Sequence, residues 1–328
     1  MNIYIIYNYW ELLLSLILIG QENNKNNLLI VVENEIDKKI IDRLKKNYEI
    51  EQFNFSTNRF LRFALYYYKV HYLLPKKLKK FLKNIEEINS FSDQDAITRY
   101  FIMNKKYINL YEHGAINYME EFNSINQKVK EFFFKMEKPY GRNEFVKNVY
   151  LRGSAPIPKD IRGKVKIINL EKLWSNVKPK NKESIVSIFG LSIESQKNLK
   201  EKEIILFTQP FSEIGVLTER EKIELYKRII KKYSKEKLVI KNHPQEKTDY
   251  KKEFSDIMVL EKKFPSELLS LLGLNLKKVV TINSTAISIF LKKAEIDFYG
   301  SKVHPKIFSS LGDDSFYMKR NCLLDEDE

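Results

Sequence analysis

A histidine with the surroundings of a reactive site follows the apolar run Leu238-Val-Ile240. His243 comes two residues after Lys241, and Pro244 follows it directly. The β-branched and apolar residues predict a short buried strand, which Pro244 ends because proline has no N–H for a sheet hydrogen bond. Ligands of open α/β sheets bind beyond the carboxyl ends of the strands. His243 is therefore a candidate for chemistry at that edge of a sheet.

A carboxylate and a second histidine occupy the same kind of position earlier in the chain. The stretch Tyr107-Ile-Asn-Leu-Tyr111 is apolar enough for a strand, and Glu112, His113 and Gly114 follow it. Gly114 permits a tight backbone turn. A carboxylate after one strand and a histidine after another predict two halves of the chain that face one cleft.

Hydroxyl groups mark a third strand end. Asn283, Ser284, Thr285 and Ala286 follow the predicted strand 278–282 and begin a predicted helix. Ser and Thr are common N-caps, which accept the free amide protons of a first helical turn. The same geometry also cradles a phosphate. The two interpretations are compatible, and the position at a strand end favours a functional one.

Two further polar segments are candidates for the same cleft. The segment Phe264-Pro-Ser-Glu-Leu-Leu269 begins a helix, where Glu267 either complements the helix dipole or accepts hydrogen bonds from a ribose. The loop Thr208–Gly215 offers Gln209 and Glu213. By contrast, Thr218-x-x-Glu221 has the pattern of a capping box.

The sequence has no obvious metal or phosphate-loop motif. Asp93-Gln-Asp95 is explained by helix capping after Ser92, and neither GxGxxG nor GxxxxGK[ST] occurs. The single cysteine, Cys322, excludes an internal disulfide and a cysteine-based zinc site, and it fits a reducing cytoplasm. We therefore expect no metal and no cofactor.

Alternating strand and helix patterns must position these residues. Strands are predicted at 2–7, 28–33, 49–55, 85–91, 107–112, 203–207, 238–241, 257–261, 278–282 and 296–299. Such alternation predicts two α/β domains with parallel sheets, over residues 1–190 and 191–328, with a connecting segment from about residue 152. Residues 116–200 contain few patterns that predict a helix or a strand. The apolar segment Trp10–Ile19 is predicted to be a buried helix, neither a signal peptide nor a membrane span.

The net charge of the chain is compatible with several classes of binding partner. The 328 residues carry a formal net charge of +14, with lysine-rich runs over residues 76–80 and 227–237. Such a surface attracts nucleic acid, an anionic membrane or an anionic substrate, and solvated lysines explain it equally well. The aromatic cluster at residues 65–70 is explained mainly by packing, although with the first lysine run it could rest on a membrane. No recognisable nucleic-acid motif is present, so we expect no nucleic-acid partner.

Together these motifs resemble those of the bacterial sialyltransferases, most closely glycosyltransferase family 52, the lipooligosaccharide sialyltransferases. Those proteins share an acidic D/E-D/E-G motif, a later His-Pro motif and a Ser/Thr phosphate contact. The similar residues here are Glu112-His113-Gly114, His243-Pro244 and Ser284-Thr285, and Gln209-Pro210 and Pro265-Ser-Glu267 are also similar to the family pattern. His113 stands where the second acid is expected.

The resemblance implies a GT-B fold, two Rossmann-like domains facing a central cleft, and an inverting, metal-independent transfer from CMP-sialic acid. The acceptor implied is a terminal sugar, usually galactose, of a lipooligosaccharide or related glycan. His243 would meet the departing phosphate as an acid or hydrogen-bond donor, and Glu267 would hold the ribose. The phosphate would also contact Ser284 and Thr285. We rank Glu112 first as the base that deprotonates the acceptor, Glu213 second and His113 third.

Other interpretations stay open beside this one. Related enzymes use a glucosyl donor or another CMP-nonulosonate, and a basic nucleic-acid-binding protein is a further alternative. Donor contacts are expected from Gln209, Pro244 and Gly114 in addition to the residues above. The expected location is cytoplasmic, with peripheral contact to the inner face of the cytoplasmic membrane, and a homodimer is compatible with the resemblance. The acceptor sugar and the linkage are not predicted.

Overall fold

The computed structural model describes residues 1–21, 26–32, 36–53, 68–119, 139–153, 155–260, 263–290 and 293–313. The chain divides into two compact units, Met1–Ile188 and Phe189–Glu328. Each unit is built around a parallel sheet with helices connecting the strands. This architecture confirms the predicted α/β class with parallel sheets.

The described residues of the first unit form seven strands in the order β3-β2-β1-β4-β5-β6-β7, and all the described pairings are parallel. Every residue of the first two strands is buried. Strands covered on both faces have continuous apolar sequences, which explains why these two were readily predicted. The strands are β1 Asn2–Ile6, β2 Asn27–Val32, β3 Glu49–Phe53, β4 Glu87–Ser90, β5 Ile108–Tyr111, β6 Val146–Leu151 and β7 Val165–Ile167.

Short helices connect the strands of the first unit. The buried helix predicted at Trp10–Ile19 is α1, Tyr9–Gln21. Six further helical elements are α2 Lys38–Leu44, a π-helical turn Lys69–Leu73, α3 Leu74–Leu78, α4 Ala96–Met103, α5 Leu170–Ser175 and α6 Pro179–Ile188. Three 3₁₀ turns span Lys79–Phe81, Ala115–Tyr118 and Arg162–Lys164. Within the described ranges, no helix has the length and apolarity needed to cross a bilayer.

The second unit contains five parallel strands in the order β10-β9-β8-β11-β12. They are β8 Ile204–Phe207, β9 Leu238–Lys241, β10 Met258–Val259, β11 Lys278–Thr281 and β12 Glu295–Phe298. The α-helices are α7 Ile193–Lys200, α8 Glu219–Ile230, α9 Tyr250–Glu253, α10 Ser266–Leu271 and α11 Pro305–Leu311. The 3₁₀ turns are Thr285–Phe290 and Ser301–Val303. The predicted capping box at the start of α8 is confirmed, because Thr218 and Glu221 exchange hydrogen bonds.

Two strands of the first sheet were not predicted from the sequence. Strand β6 mixes exposed and buried positions, and Lys147 and Asn148 interrupt its apolar pattern. Strand β7 has only three residues. Both fall in the stretch 116–200 that carried few signals, and β7 lies in the segment assigned to the domain connection. The sequence also predicts helices around residues 129–136 and over 57–83; the first, and residues 57–67 of the second, lie outside the described residues, and residues 69–81 of the second are helical.

Candidate functional site

The carboxyl edge of the first sheet gathers side chains from four neighbouring strands. Because β1, β4, β5 and β6 are parallel neighbours, the loops that follow them lie along one edge. These loops carry Tyr7, Asn8 and Glu11 after β1, Asp93 and Asp95 after β4, Glu112 and His113 after β5, and Arg152 after β6. The edge is therefore rich in titratable groups.

His113 is paired with a buried carboxylate. Its Nδ1 lies 2.8 Å from Oε1 of Glu11, whose side chain is 1% exposed, whereas the imidazole is 40% exposed. A carboxylate oxygen can only accept, so Nδ1 carries a proton, and in the neutral imidazole Nε2 then has the lone pair. The hydrogen bond to Glu11 raises the pKa of His113 although burial lowers it, and the charge of Asp95 adds to the increase.

Aspartates after β4 act as caps for backbone N–H groups. Asp95 is the N-cap of α4 and accepts from Ile97 and Thr98, and the Tyr7 hydroxyl donates to it at 2.7 Å. Burial raises the pKa of Asp95 to about 6. Asp93 accepts the backbone N–H groups of Tyr140 and Gly141. Helix capping therefore explains Asp95, as predicted, whereas Asp93 holds the loop at Tyr140 and Gly141 and caps no helix of the described ranges. No group of three or more His, Cys, Asp or Glu side chains in the described ranges is arranged to hold a metal ion.

Glu112, ranked first as the base, has a different environment from the one expected. Its carboxylate is 1% exposed and forms an ion pair with Arg152, at 2.8 Å between Oε1 and an Nη atom. Oε2 accepts the Tyr118 hydroxyl at 2.6 Å and the Arg152 backbone N–H at 2.7 Å. Both oxygens are thus occupied, and the geometry does not favour Glu112 as a base.

Asn117 fixes the loop that carries His113. Its Oδ1 accepts the backbone N–H groups of His113 at 2.8 Å and of Gly114 at 3.1 Å. Gly114 thus has a backbone contact inside the first unit, and its role in donor binding stays a prediction. Asn117 is fully buried. No sequence pattern singled out Asn117, because its role depends on the turn that follows β5.

In the second unit, His243 lies at the carboxyl end of β9 as predicted from the sequence. Its Nδ1 accepts the backbone N–H of Gln245 at 3.2 Å, so the ring proton of the neutral imidazole is on Nε2. Its own backbone N–H donates to Glu246 at 2.7 Å. Burial and the neighbouring Lys241 lower the pKa of His243. A neutral imidazole with Nε2–H available is a hydrogen-bond donor.

A buried lysine precedes this histidine. Lys241 is the last residue of β9, and its ammonium donates to the Asn242 carbonyl at 2.7 Å. Burial lowers the pKa of Lys241 to about 8, against the opposing charges of Glu246 and Glu267. Glu267 lies in the first turn of α10, where its carboxylate influences Lys241. No sequence pattern indicates a role for Lys241 or Glu246.

Glu213, ranked second as the base, is held by a buried ammonium. The Lys222 Nζ lies 3.0 Å from Glu213 Oε2 and is fully buried. The Lys247 backbone N–H and the Ser212 hydroxyl also donate to the same carboxylate. Burial alone would raise the pKa of Glu213, but the Lys247 N–H and the Lys222 ammonium lower it to about 2. Such a carboxylate is a weak base.

The remaining predicted donor contacts lie around the carboxyl edge of the second sheet. Ser284 Oγ accepts the Ala286 N–H at 3.3 Å, and Thr285 begins a six-residue 3₁₀ turn where a helix was predicted. The Thr285 side chain lies outside the described part of the structure. Gln209 follows β8 and donates its backbone N–H to the Tyr226 hydroxyl at 2.7 Å, and Pro244 is exposed.

Two asparagines at this edge retain an unused acceptor. Oδ1 of Asn242, after β9, and Oδ1 of Asn283, after β11, are buried and have no hydrogen-bond partner in the described part of the chain. A buried acceptor without a donor costs free energy. A ligand that supplies N–H or O–H groups would satisfy both atoms.

One signal in the sequence identifies Glu11. Asn8-x-x-Glu11 has the spacing of a capping box, and the two residues do exchange hydrogen bonds at 3.0 and 2.9 Å. This pattern locates the start of α1, but it does not reveal the contact to His113. Arg152 could not be placed because it follows the unpredicted strand β6.

Comparisons with known proteins place these observations in a family. The model of glycosyltransferase family 52 matches residues 22–307. An "Uncharacterized protein" of Haemophilus influenzae is 37% identical over 241 residues, which cover 74% of this chain and 76% of that protein.

Solved structures of two sialyltransferases are similar in fold. The α/β-galactoside α-2,3-sialyltransferase of Photobacterium phosphoreum has a TM-score of 0.56 at 15% identity and covers 90% of this chain and 89% of its own. The GT-B domain of the Photobacterium damselae sialyltransferase has a TM-score of 0.54 at 13% identity, with coverages of 91% and 90%. The likeness confirms the predicted GT-B fold class.

Proposed function

Because the chain belongs to glycosyltransferase family 52 and is therefore a glycosyltransferase, we propose that its donor is CMP-sialic acid. The proposed acceptor is a hydroxyl of a terminal sugar, galactose in the first instance, on a lipooligosaccharide or related glycan. The observation that carries the proposal is the neutral His243 at the end of β9, with Nε2–H available for an anion. The GT-B likeness to two sialyltransferases supports the same donor.

The proposed leaving group is a nucleoside monophosphate, and the second unit supplies donors for it. When the bond between the anomeric carbon and the phosphate oxygen breaks, negative charge develops on that phosphate. His243 would donate Nε2–H to it, and Ser284 and Thr285, which follow β11 on the other side of β8, would donate their hydroxyl groups. Hydrogen bonds aimed at developing charge stabilise the transition state more than the ground state. This reaction requires no metal, because a monophosphate carries less charge than a diphosphate.

The nucleoside would be recognised by polar groups at the same edge. Glu267 is proposed to accept hydrogen bonds from the ribose hydroxyls. The unpartnered Oδ1 atoms of Asn242 and Asn283 accept N–H or O–H groups, which a cytosine amino group and a ribose both supply. Gln209 completes the set from the strand between them. This distribution over β8, β9 and β11 suits a ligand that touches several strand ends.

The first unit is proposed to supply the base. Inverting transfer needs a group that takes the proton of the acceptor hydroxyl as its oxygen attacks the anomeric carbon. Both oxygens of Glu112 are occupied by Arg152 and Tyr118, and Glu213 is weakly basic. His113 has an exposed ring and a free Nε2 lone pair. We therefore reverse the order expected from the sequence and assign the proton transfer to His113.

An exposed aromatic and basic surface supports a peripheral location on an anionic membrane. Tyr68 and Tyr72 stack at 5.9 Å between ring centroids and are 54% and 56% exposed. The exposed lysines of residues 76–80 follow directly. Tyrosine and lysine together favour the interface of an anionic bilayer. Sedimentation with vesicles containing phosphatidylglycerol should depend on these tyrosines, and equal binding by Tyr72→Ser would contradict this location.

A thermal-shift series tests the proposed donor. A ligand that binds only the folded state raises the melting temperature in proportion to the logarithm of its concentration over Kd. We expect CMP to raise it by more than UDP, GDP or ADP, with and without EDTA. A larger shift with UDP would favour a UDP-sugar donor, and loss of the CMP shift in EDTA would contradict a metal-free site.

A further inference from the structure

A buried carboxylate contacts the turn that carries His243. Glu246 has a fully buried side chain, and its Oε2 accepts the backbone N–H of His243 at 2.7 Å. The Glu246 backbone N–H in turn donates to the His243 carbonyl at 3.1 Å. Glu246 therefore binds, through both its side chain and its backbone, the residue that the proposed function places against the leaving phosphate.

Further groups of the second unit surround the same carboxylate. The Thr208 hydroxyl, at the end of β8, donates to Oε2, and the Tyr250 hydroxyl of α9 donates to Oε1 at 2.7 Å. The buried Lys222 ammonium of α8 lies 3.7 Å from Oε1. Burial raises the pKa of Glu246, although these hydrogen bonds oppose the increase. Because each partner is a donor and a carboxylate only accepts, the geometry fits ionised Glu246.

Helix capping does not account for this carboxylate. His243 and Glu246 exchange hydrogen bonds in the manner of the first and fourth residues of a capping box. However, residues 246–249 have no regular structure, and α9 begins only at Tyr250. A buried charge costs free energy unless its partners compensate for it. Glu246 therefore holds a turn that starts no helix.

The second His-Pro turn of the chain provides a comparison. In both turns, the histidine Nδ1 accepts the N–H of the residue two positions later at 3.2 Å. The His304 N–H, however, donates to the Ser301 carbonyl at 3.4 Å, and α11 follows directly. This ring contact thus forms without a buried carboxylate. Glu246 adds a fixed position of His243 relative to the ends of β8 and β9.

We propose that Glu246 is a positioning residue, which holds the backbone of His243 so that its Nε2–H is directed at the departing phosphate. This inference rests on the proposed function. Glu246 binds the His243 N–H, and the Gln245 N–H binds the ring at Nδ1. These two contacts leave the imidazole little freedom to move. A displacement of about 1 Å at a catalytic group can reduce the rate by roughly 100-fold.

Three substitutions separate the hydrogen bond of Glu246 from its charge. Glutamine loses the charge, but it can accept from His243 and donate to the Tyr250 hydroxyl, which can also accept. Aspartate keeps the charge but is one methylene shorter, and alanine removes both features. We expect kcat to decrease in the order wild type, Glu246→Gln, Glu246→Asp, Glu246→Ala, with a loss of roughly 10-fold or more in the last. Higher activity of Glu246→Asp than of Glu246→Gln would overturn the proposal.

The first test needs no substrate. The chain has four histidines, so the ring nitrogen signals of His243 in NMR are assigned by their loss in His243→Ala. We expect the neutral wild-type ring to be protonated at Nε2 alone, and Glu246→Ala to show a mixture of the two neutral tautomers. Glu246→Gln should retain the wild-type pattern. An unchanged pattern in Glu246→Ala would overturn the proposal, whatever donor the enzyme uses.

The second test asks whether the position of His243 matters in the reaction. We expect Glu246→Ala to lower kcat and kcat/KM together, with a smaller change in the KM of the donor, because the hydrogen bond strengthens as charge develops on the phosphate. In a His243→Ala background, Glu246→Ala should cause no further loss of kcat. An equal loss in both backgrounds would overturn the proposal.

Tyr250→Phe is a matched control for stability. It removes a donor to Oε1 of Glu246 and leaves Oε2, which holds His243, in place. We expect a lower melting temperature and a kcat close to that of the wild type. A loss of kcat that follows the melting temperature in every variant would show a purely structural role and overturn the proposal. If Glu246→Ala does not fold, Glu246→Gln and Glu246→Asp provide the comparison.

These measurements also distinguish the positioning role from the proposed donor. If the wild-type protein turns over another nucleotide sugar and not CMP-sialic acid, the proposed function fails, and the same variants are measured with that sugar, whose leaving group is also a phosphate. A mixture of tautomers in Glu246→Ala together with an unchanged kcat would overturn the positioning role and leave the proposed function standing.

Discussion

The ring atom Nδ1 makes a hydrogen bond in both His113 and His243, but it donates in the first and accepts in the second. Glu11 accepts from Nδ1 of His113 at 2.8 Å, whereas the Gln245 N–H donates to Nδ1 of His243 at 3.2 Å. In the neutral rings, Nε2 consequently has a lone pair in His113 and an N–H in His243. The pKa is raised in the first and lowered in the second. One ring suits proton abstraction, and the other suits stabilisation of an anion.

Loss of the His113 imidazole should separate turnover from donor binding. We expect His113→Asn to reduce kcat by roughly 100-fold or more, the usual contribution of a general base. The thermal shift produced by CMP should stay unchanged, because the proposed nucleotide contacts belong to the second unit. Normal turnover in this variant would show that another residue is the base.

Truncation of His243 should reduce turnover with little loss of stability. We expect His243→Ala to lower kcat by roughly 100-fold or more, on the scale of losing a donor to a developing anion. His304 provides a matched control, since its Nδ1 accepts the Lys306 N–H at 3.2 Å in another His-Pro turn. His304→Ala should keep its activity. Equal activity of the two variants would show that His243 has only this turn-stabilising role.

Glu112 should prove to be structural. Glu112→Gln removes the charge that pairs with Arg152, so we expect the free energy of unfolding to fall by about 1–3 kcal/mol, the usual cost of weakening a buried polar contact. The kcat of the folded protein should change by less than about 10-fold. Urea unfolding and steady-state kinetics on the same sample measure both. A loss of 100-fold with unchanged stability would restore Glu112 as the base.

Glu213 should stabilise the second unit in a pH-dependent way. Its folded-state pKa is about 2, below the ordinary value of 4.5, so its stabilisation is complete above pH 4.5 and is lost as pH falls toward 2. Glu213→Gln should therefore lower the free energy of unfolding at pH 7 and have a smaller effect near pH 3. A constant difference between variant and wild type across this range would contradict the low pKa.

The sequence predicts the strands of each sheet better than it predicts which side chains pair within each unit. Buried parallel strands such as β1 and β9 are continuous apolar runs, and a histidine at the end of β9 is visible at once. Strand β6 carries Lys147 and Asn148 within its pattern, so it was missed, and Arg152 was missed with it. Without Arg152, Glu112 resembled a free carboxylate and was ranked first.

Long-range partners are the other part that the sequence does not reveal. Asn8 and Glu11 have the spacing of a helix cap, which is a local signal. The contact of Glu11 to His113 depends on β1 and β5 ending at the same edge of one sheet, with β4 between them. Likewise, the pairing of Glu213 with Lys222 depends on how the loop after β8 packs against α8. Such contacts follow from strand order, which residue patterns alone do not specify.

The most direct test of the proposed function is the reaction of the wild-type protein. Purified protein is incubated in EDTA with a galactose-terminated glycan and one donor at a time: CMP-sialic acid, another CMP-nonulosonate or UDP-glucose. We expect CMP-sialic acid alone to be used at a substantial rate, with one CMP released per sialylated product and inversion at the anomeric carbon. Faster transfer from UDP-glucose, or a requirement for a divalent metal, would contradict it.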